Sequence, residues 1–233
     1  MLRRFLAPLH PDGFKFVAAG VIATLLLFLV WAPAGWAAAV VTLWMVYFFR
    51  DPWRVTPIRP GLLISPADGI VVSIAAATPP AELEMGELAM GDMAFVRIGI
   101  FLNIFDVHVT RAPVGGRVAA MRYTKGRFVN ASLDKASEHN ERLAIRIAPP
   151  EGPDIAFVLV AGLVARRIAC NLYDGQQIAT GQRVGIIRFG SRVDIYCPPP
   201  YVPLVVAGQR MVGGETILAD RLAEEPPRQG ISQ

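Results

Sequence analysis

The feature that most limits how this chain can fold is the run from Phe16 to Phe49, which carries no charged residue between Lys15 and Arg50. A single membrane-crossing helix needs about 20 apolar residues, and this run is far longer. Val30-Trp31-Ala32-Pro33-Ala34-Gly35-Trp36 interrupts it near the middle, and proline disrupts a helix interior. Residues 16–49 are therefore expected to form two helical arms joined by a turn, a hairpin that anchors the chain in a membrane. Trp31 and Trp36 flank the turn, while Trp44, Tyr47 and Trp53 lie toward the other end, positions that suit interfacial aromatics. Arms this short leave open whether the hairpin crosses the bilayer or only dips into it. Arg3, Arg4 and Lys15 precede the run and Arg50, Arg54 and Arg59 follow it. That distribution predicts both ends at anionic headgroups on the cytoplasmic side of the cell (inner) membrane. The run is too long for a signal peptide and lacks a convincing cleavage site.

Hydrophobic residues make up 53% of the 233-residue chain and charged residues 18%, and the apolar excess is concentrated near the N-terminus. An anchored globular domain fits this better than a polytopic membrane protein. The net charge of +4 is scattered rather than clustered with aromatics, which argues against a nucleic-acid surface. Three histidines (His10, His108, His139) and two cysteines without ligand spacing (Cys170, Cys197) argue against a metal site. The cysteines read as small buried hydrophobes, with one disulfide left open.

Residues 1–15 form a basic tail, and 50–60, with prolines at 52, 57 and 60, a linker in which helix is disfavoured. From residue 61 to 222 the pattern turns to β. Gly69–Ile74, Ala94–Phe101, Arg117–Tyr123, Leu143–Ile147, Ile155–Val160, Val164–Ala169, Val184–Arg188 and Val193–Tyr196 are short, β-branched and punctuated by Gly and Pro. Their spacing predicts a mainly β domain, an antiparallel barrel or sandwich, behind the helical hairpin. Residues 223–233 are polar and proline-containing and are expected to be disordered.

Three stretches carry candidate chemistry. Ser65-Pro66-Ala67-Asp68-Gly69 is a tight turn opening a strand; turn chemistry alone accounts for it, but it could also hold the Asp68 carboxylate against a histidine. Phe101 to Pro113 contains His108 in an apolar setting, where it is either a satisfied core residue or a general base titrating near neutrality. Asp106, two residues earlier, competes with Asp68 as its partner. In Phe189-Gly190-Ser191-Arg192, glycine permits backbone angles closed to other residues and places a hydroxyl beside the Gly190 carbonyl. A fourth stretch, Asn130 to Arg142, reads mostly as a solvated loop from which His139, Asn140 and Arg142 could reach an anionic headgroup.

Taken in order, Ser65-Pro66-Ala67-Asp68-Gly69, Phe101-Leu102 through His108 to Pro113, His139-Asn140-Glu141-Arg142 and Phe189-Gly190-Ser191 resemble the phosphatidylserine decarboxylase family in its short bacterial form. The resemblance covers about residues 50–198. It departs at Phe189 and Arg192, where many members have Leu and Thr. The resemblance implies a proenzyme that cuts itself between Gly190 and Ser191 into a large chain (1–190) and a small chain (191–233). His108, oriented by Asp68, would activate Ser191, and Ser191 would become a covalent pyruvoyl group, with no metal needed. Phosphatidylserine in an anionic membrane would form a Schiff base there, lose carbon dioxide and leave as phosphatidylethanolamine, with His108 or a nearby group as the proton donor. The resemblance leaves oligomeric state open.

Two alternatives remain on the residues alone. A membrane-anchored serine hydrolase would use Ser191 as a standing nucleophile, although no Gly-x-Ser-x-Gly elbow is present. A lipoyl-like β carrier would need a modifiable lysine at a hairpin tip, and Lys125 before Gly126 has unsuitable neighbours.

Overall fold

The computed structural model describes residues 7–85, 95–126, 140–162, 168–188 and 190–231. The uncharged run forms two helices, α1 (Phe14–Val30) and α2 (Ala32–Phe48). Trp31, extended at φ −158°, breaks the chain between them. Pro33 falls in the first turn of α2, where its missing N–H takes no hydrogen bond away from the helix. Small residues let the arms approach: a Cβ on Gly20 would lie 2.8 Å from Thr42 Oγ1, and one on Gly35 would enter the Phe28 ring. Thr24 and Thr42 hydroxyls meet across the interface at 3.1 Å. The outer surface, including Leu25, Leu29, Trp31, Trp36 and Leu43, is exposed and apolar. Residues Pro11–Val30 are long and apolar enough to cross a membrane by length and composition. At 1.5 Å per residue, each 17-residue helix spans about 25 Å, slightly less than a hydrocarbon core of about 30 Å.

The rest is β. Among the described residues the strands are β1 (Leu62–Ile64), β2 (Gly69–Ala77), β3 (Phe95–Leu102), β4 (Val109–Arg111), β5 (Gly116–Thr124), β6 (Arg142–Ala148), β7 (Ile155–Ala161), β8 (Ile168–Cys170), β9 (Gln177–Ile178), β10 (Arg183–Ile187), β11 (Ser191–Cys197), β12 (Val202–Pro203), β13 (Arg210–Met211) and β14 (Ile217–Asp220). One eight-stranded antiparallel sheet runs β13-β2-β3-β11-β7-β6-β5-β9, flanked by small sheets β1-β14-β12 and β4-β10-β8. The mainly β expectation holds, with register shifts in β2 and β5 that bend the sheet. Val193, Ile195 and Cys197 of β11 enter the main core with Ile98, Ile100, Phe157 and Leu159. On the opposite face Tyr196 packs with Phe95, Ala144, Ala156 and Val158. Both faces of the central strands are covered, which is why β7 and β11 are buried throughout.

The hairpin base closes on this domain. His10 N–H donates to the Phe49 carbonyl and Asp51 N–H to the Pro8 carbonyl. Phe48 and Phe49 are fully buried against Val107, Val109 and Ile186. The linker is pinned by Asp51 to Arg111 and Arg183, and by Arg54 to Asp68. Neither cysteine is bonded; Cys197 is buried and its thiol is pushed up to about 12 by desolvation. Residues 223–231 form no helix or strand and 224–231 are exposed, with Arg228 reaching the Leu204 carbonyl.

Candidate active site

Ser191 is the first residue of β11 and belongs to the sheet, although the β-like run was expected to begin at Val193. It pairs with Leu102 of β3 on one side and Ala161 of β7 on the other. Its side chain is wholly buried, and Oγ has no hydrogen-bond partner among the described residues. A buried, unsatisfied hydroxyl costs roughly 1–3 kcal/mol and calls for an explanation. Gly190, immediately before it, has φ +68°, and apart from its chain neighbours no described residue places an atom within 4 Å of where its Cβ would sit. A side chain there would strain the backbone, whereas glycine adopts that angle freely.

His108 lies in the turn segment between β3 and β4, fully buried. Its Nε2 accepts the Gly190 N–H at 3.2 Å, and its Nδ1 lies 3.0 Å from the Asp106 carbonyl oxygen. An N–H can only donate and a carbonyl can only accept, so these partners assign the ring proton to Nδ1 and the lone pair to Nε2. Burial pushes the imidazole down to about 4, with Arg50 adding to the shift and the Asp106 carbonyl opposing it. His108 is therefore neutral at pH 7, with its basic nitrogen facing the Gly190 amide. The Phe48 ring covers it, with centroids 4.3 Å apart, so the base of the hairpin forms one wall of the site.

Asp106 and Asp68, the two candidate partners, are placed differently. Asp106 reaches His108 through its backbone. Its carboxylate is buried, accepting the Asn103 N–H and a 2.6 Å bond from Arg210. Asp68, expected to orient His108, makes no hydrogen bond to it. Its carboxylate takes both bonds from Arg54, at 2.8 and 2.9 Å, and the Gly213 N–H. Burial raises the Asp68 carboxyl above its usual range, against the opposing pull of Arg54 and Gly213.

The expected headgroup residues also separate. Asn140 is buried beside the Ala161 carbonyl, which accepts its Nδ2 at 2.7 Å, and Ala161 is the residue paired with Ser191. Arg142 is tied to Glu82 at 2.7 Å, a contact that engages its guanidinium with a carboxylate. His139 lies outside the described residues. Among the described residues no three His, Cys, Asp or Glu side chains converge as a metal site would require.

The site also contains a pair whose joining the sequence did not show: Arg192 stands out there only as a departure from the family pattern, and Asp194 not at all. Arg192 and Asp194 are completely buried on the sheet face away from the main core and joined at 2.6 Å, with Ser73 accepting from Arg192 at 2.9 Å. Gly99 makes the room: a Cβ there would lie 2.4 Å from Arg192 Nη2. The alternation of Arg192, Asp194 and Tyr196 along β11 was the available signal, but a charged pair at those positions reads as a solvated face.

A β domain docked on an apolar helical hairpin, with a histidine and a buried serine meeting at a glycine beside the hairpin's base, defines an enzyme class whose N-terminal helix fits membrane association. The family model described as phosphatidylserine decarboxylase matches residues 41–219. Over all 233 residues the chain is 52% identical to the phosphatidylserine decarboxylase proenzyme of Cereibacter sphaeroides, covering 98% of that protein. It is 51% identical over 223 residues to the proenzyme of the same name from Paramagnetospirillum magneticum, covering 96% of this chain and 91% of the relative. With the Ruegeria pomeroyi proenzyme it shares 52% over 216 residues, 93% of this chain and 96% of the relative. The chain belongs to the phosphatidylserine decarboxylase family, and with that the enzyme reading stands over the carrier module.

Proposed function

We propose that this chain is a self-processing decarboxylase that converts phosphatidylserine to phosphatidylethanolamine. In this reading it cuts its own chain between Gly190 and Ser191 into residues 1–190 and 191–233. The observation that carries the reading is the orphaned Ser191 Oγ beside a glycine whose N–H sits on the lone pair of a neutral, buried histidine. His108 Nε2 takes the Ser191 hydroxyl proton as Oγ attacks the Gly190 carbonyl carbon. It then hands that proton to the Ser191 nitrogen as the amide opens, leaving an ester. Loss of the residue 191 Cα proton and departure of the Gly190 carboxylate leave a dehydroalanine. Water converts this to a pyruvoyl group with release of ammonia.

The surroundings fit such a group. It is made in place from atoms already buried in the sheet, and the space over Gly190 is free of neighbouring atoms within 4 Å of a Cβ position. Once formed, its carbonyl serves as the electron sink for loss of carbon dioxide from an amine-bearing headgroup. His108 is the buried group placed to return a proton near residue 191, and the Asp106 carbonyl keeps Nδ1 protonated and the ring oriented. Asp68 supports the site at one remove in this reading, by fixing Arg54 and through it the linker.

The hairpin gives the site its depth. Phe48, the last residue of α2, lies on His108, so inserting the hairpin from the cytoplasmic face would hold the site at headgroup level. A diacyl substrate would then not have to leave the bilayer. The direct test is release of labelled carbon dioxide from carboxyl-labelled phosphatidylserine in vesicles carrying the reconstituted protein. Turnover is expected from the native chain and none from Ser191→Ala; turnover by that variant would end the proposal.

A further inference from the structure

The turn between β3 and β4 presents two apolar side chains to solvent directly beside the site: Ile104 is 43% exposed and Phe105 58%. The tip is rigid. Asn103 Oδ1 accepts the Phe105 N–H at 2.8 Å, the Asn103 carbonyl accepts the Asp106 N–H, and Asp106 Oδ2 accepts the Asn103 N–H. Two arginines hold the same turn. Arg50 Nη2 donates to the Phe105 carbonyl at 2.8 Å, and Arg210, 64% exposed, reaches Asp106. The Arg50 guanidinium also lies over the Tyr47 ring at 3.7 Å, and Tyr47 is a half-exposed residue of the last turn of α2. Tip, arginines and tyrosine are thus one surface, continuous with the apolar hairpin.

We propose that Ile104 and Phe105, together with Arg50 and Arg210, form a second membrane-contacting element that enters the headgroup layer of an anionic bilayer beside the active site. The inference rests on reading residues 16–49 as a membrane hairpin. Two apolar residues make too small a patch for a protein partner, since a stable interface buries about 800 Å² on each side. An apolar tip ringed by arginines and a tyrosine suits the boundary between acyl chains and anionic headgroups. The tip leads straight into Asp106 and His108, so its depth sets the height of the catalytic histidine above the acyl chains. The hairpin fixes one point of the domain; the tip fixes a second and sets its tilt.

The test uses the full chain with Cys170→Ala and Cys197→Ala and a single introduced cysteine, Phe105→Cys, carrying an environment-sensitive fluorophore. Ile104→Cys serves as a second position should the first variant fold poorly. The protein is reconstituted into phosphatidylcholine vesicles with and without phosphatidylglycerol. The expected result is a blue-shifted emission, quenched by lipids bearing a nitroxide high on the acyl chain and stronger when phosphatidylglycerol is present. A label that stays water-exposed on phosphatidylglycerol vesicles to which the protein is bound overturns the proposal. So does a shift that appears only with rising protein concentration in vesicle-free detergent, which would assign the tip to a second copy of the chain. No turnover enters the readout, so this inference can fail while the decarboxylase reading stands, and the reverse.

Discussion

The chain is held in opposite ways on the two sides of the Gly190–Ser191 peptide. Downstream, all of β11 is buried and paired with β3 and β7, and its second and fourth residues are joined in a buried ion pair. Upstream, Gly190 is half-buried with a left-handed backbone, open space over its α-carbon and a hydrogen bond to His108. Breaking the bond between them would leave residue 191 fixed in the middle of a sheet while the Gly190 end is free to withdraw. A group built at residue 191 would then keep its position, and the space vacated by the upstream chain would admit a headgroup. Under the proposed cut, the asymmetry would keep the small chain fixed in the sheet, whereas the upstream end would need to be held only until cutting.

The deepest way to disturb this comparison is at the hydrogen bond between His108 and Gly190 on the loose side. His108→Ala is expected to slow self-cutting by about 10²–10⁴-fold, the usual worth of a positioned general base, measured by the time course of two-chain product after cell-free synthesis. Cutting at the native rate would remove His108 from that step. Next comes the tight side. Arg192→Met removes the buried cation bonded to Asp194 and is expected to cost about 3–5 kcal/mol in unfolding free energy. Gly99→Ala, which forces a methyl into the Arg192 guanidinium, is expected to cost about 1–3 kcal/mol. Denaturant unfolding of an uncut Ser191→Ala background would measure both, and two unperturbed midpoints would show that the pair does not hold β11.

A smaller effect concerns pH. In the proposed cutting step the base would be the neutral imidazole, whose protonation burial pushes from 6.5 down to about 4. The cutting rate should therefore stay flat from pH 8 to pH 5 and halve only near pH 4. Halving near 6.5 would mean that the ring is solvated in the cutting state. The same shift implies that stability declines as pH falls from 6.5 toward 4, because the unfolded chain takes up a proton that the native one refuses. The smallest expected effect is that of Asp68→Asn. Its carboxylate touches Arg54 and Gly213 rather than His108, so cutting should fall less than His108→Ala lowers it. A loss as deep as that of His108→Ala would return Asp68 to the role of orienter.

Much of this architecture is legible in the sequence because its causes are local. An uncharged run broken at Pro33 can hardly be anything other than two apolar helices, and short β-branched segments ending in Gly and Pro announce strands. The Gly-Ser junction and His108 were legible as residue types in a telling order. What local pattern could not supply was the partner of each group. Asp106 and His108 read as sharing one strand face, yet they occupy a turn, so the contact is made by a backbone carbonyl instead of a carboxylate. Arg54 with Asp68 and Arg210 with Asp106 are ion pairs between segments distant in sequence, which single-residue spacing cannot reveal. Arg192 and Asp194 alternate as a solvated strand face would, and only coverage of both sides of the sheet buries them.

The central claim is that the bond between the loose and the fixed side is broken and that residue 191 is remade. Intact mass spectrometry of the purified protein, with and without borohydride and an added amine, tests it most directly. Two chains are expected, residues 1–190 and a chain beginning at residue 191. The smaller should be lighter by one ammonia than a peptide with N-terminal serine and should gain the amine on reduction. A single uncut chain that still decarboxylates phosphatidylserine would contradict the account.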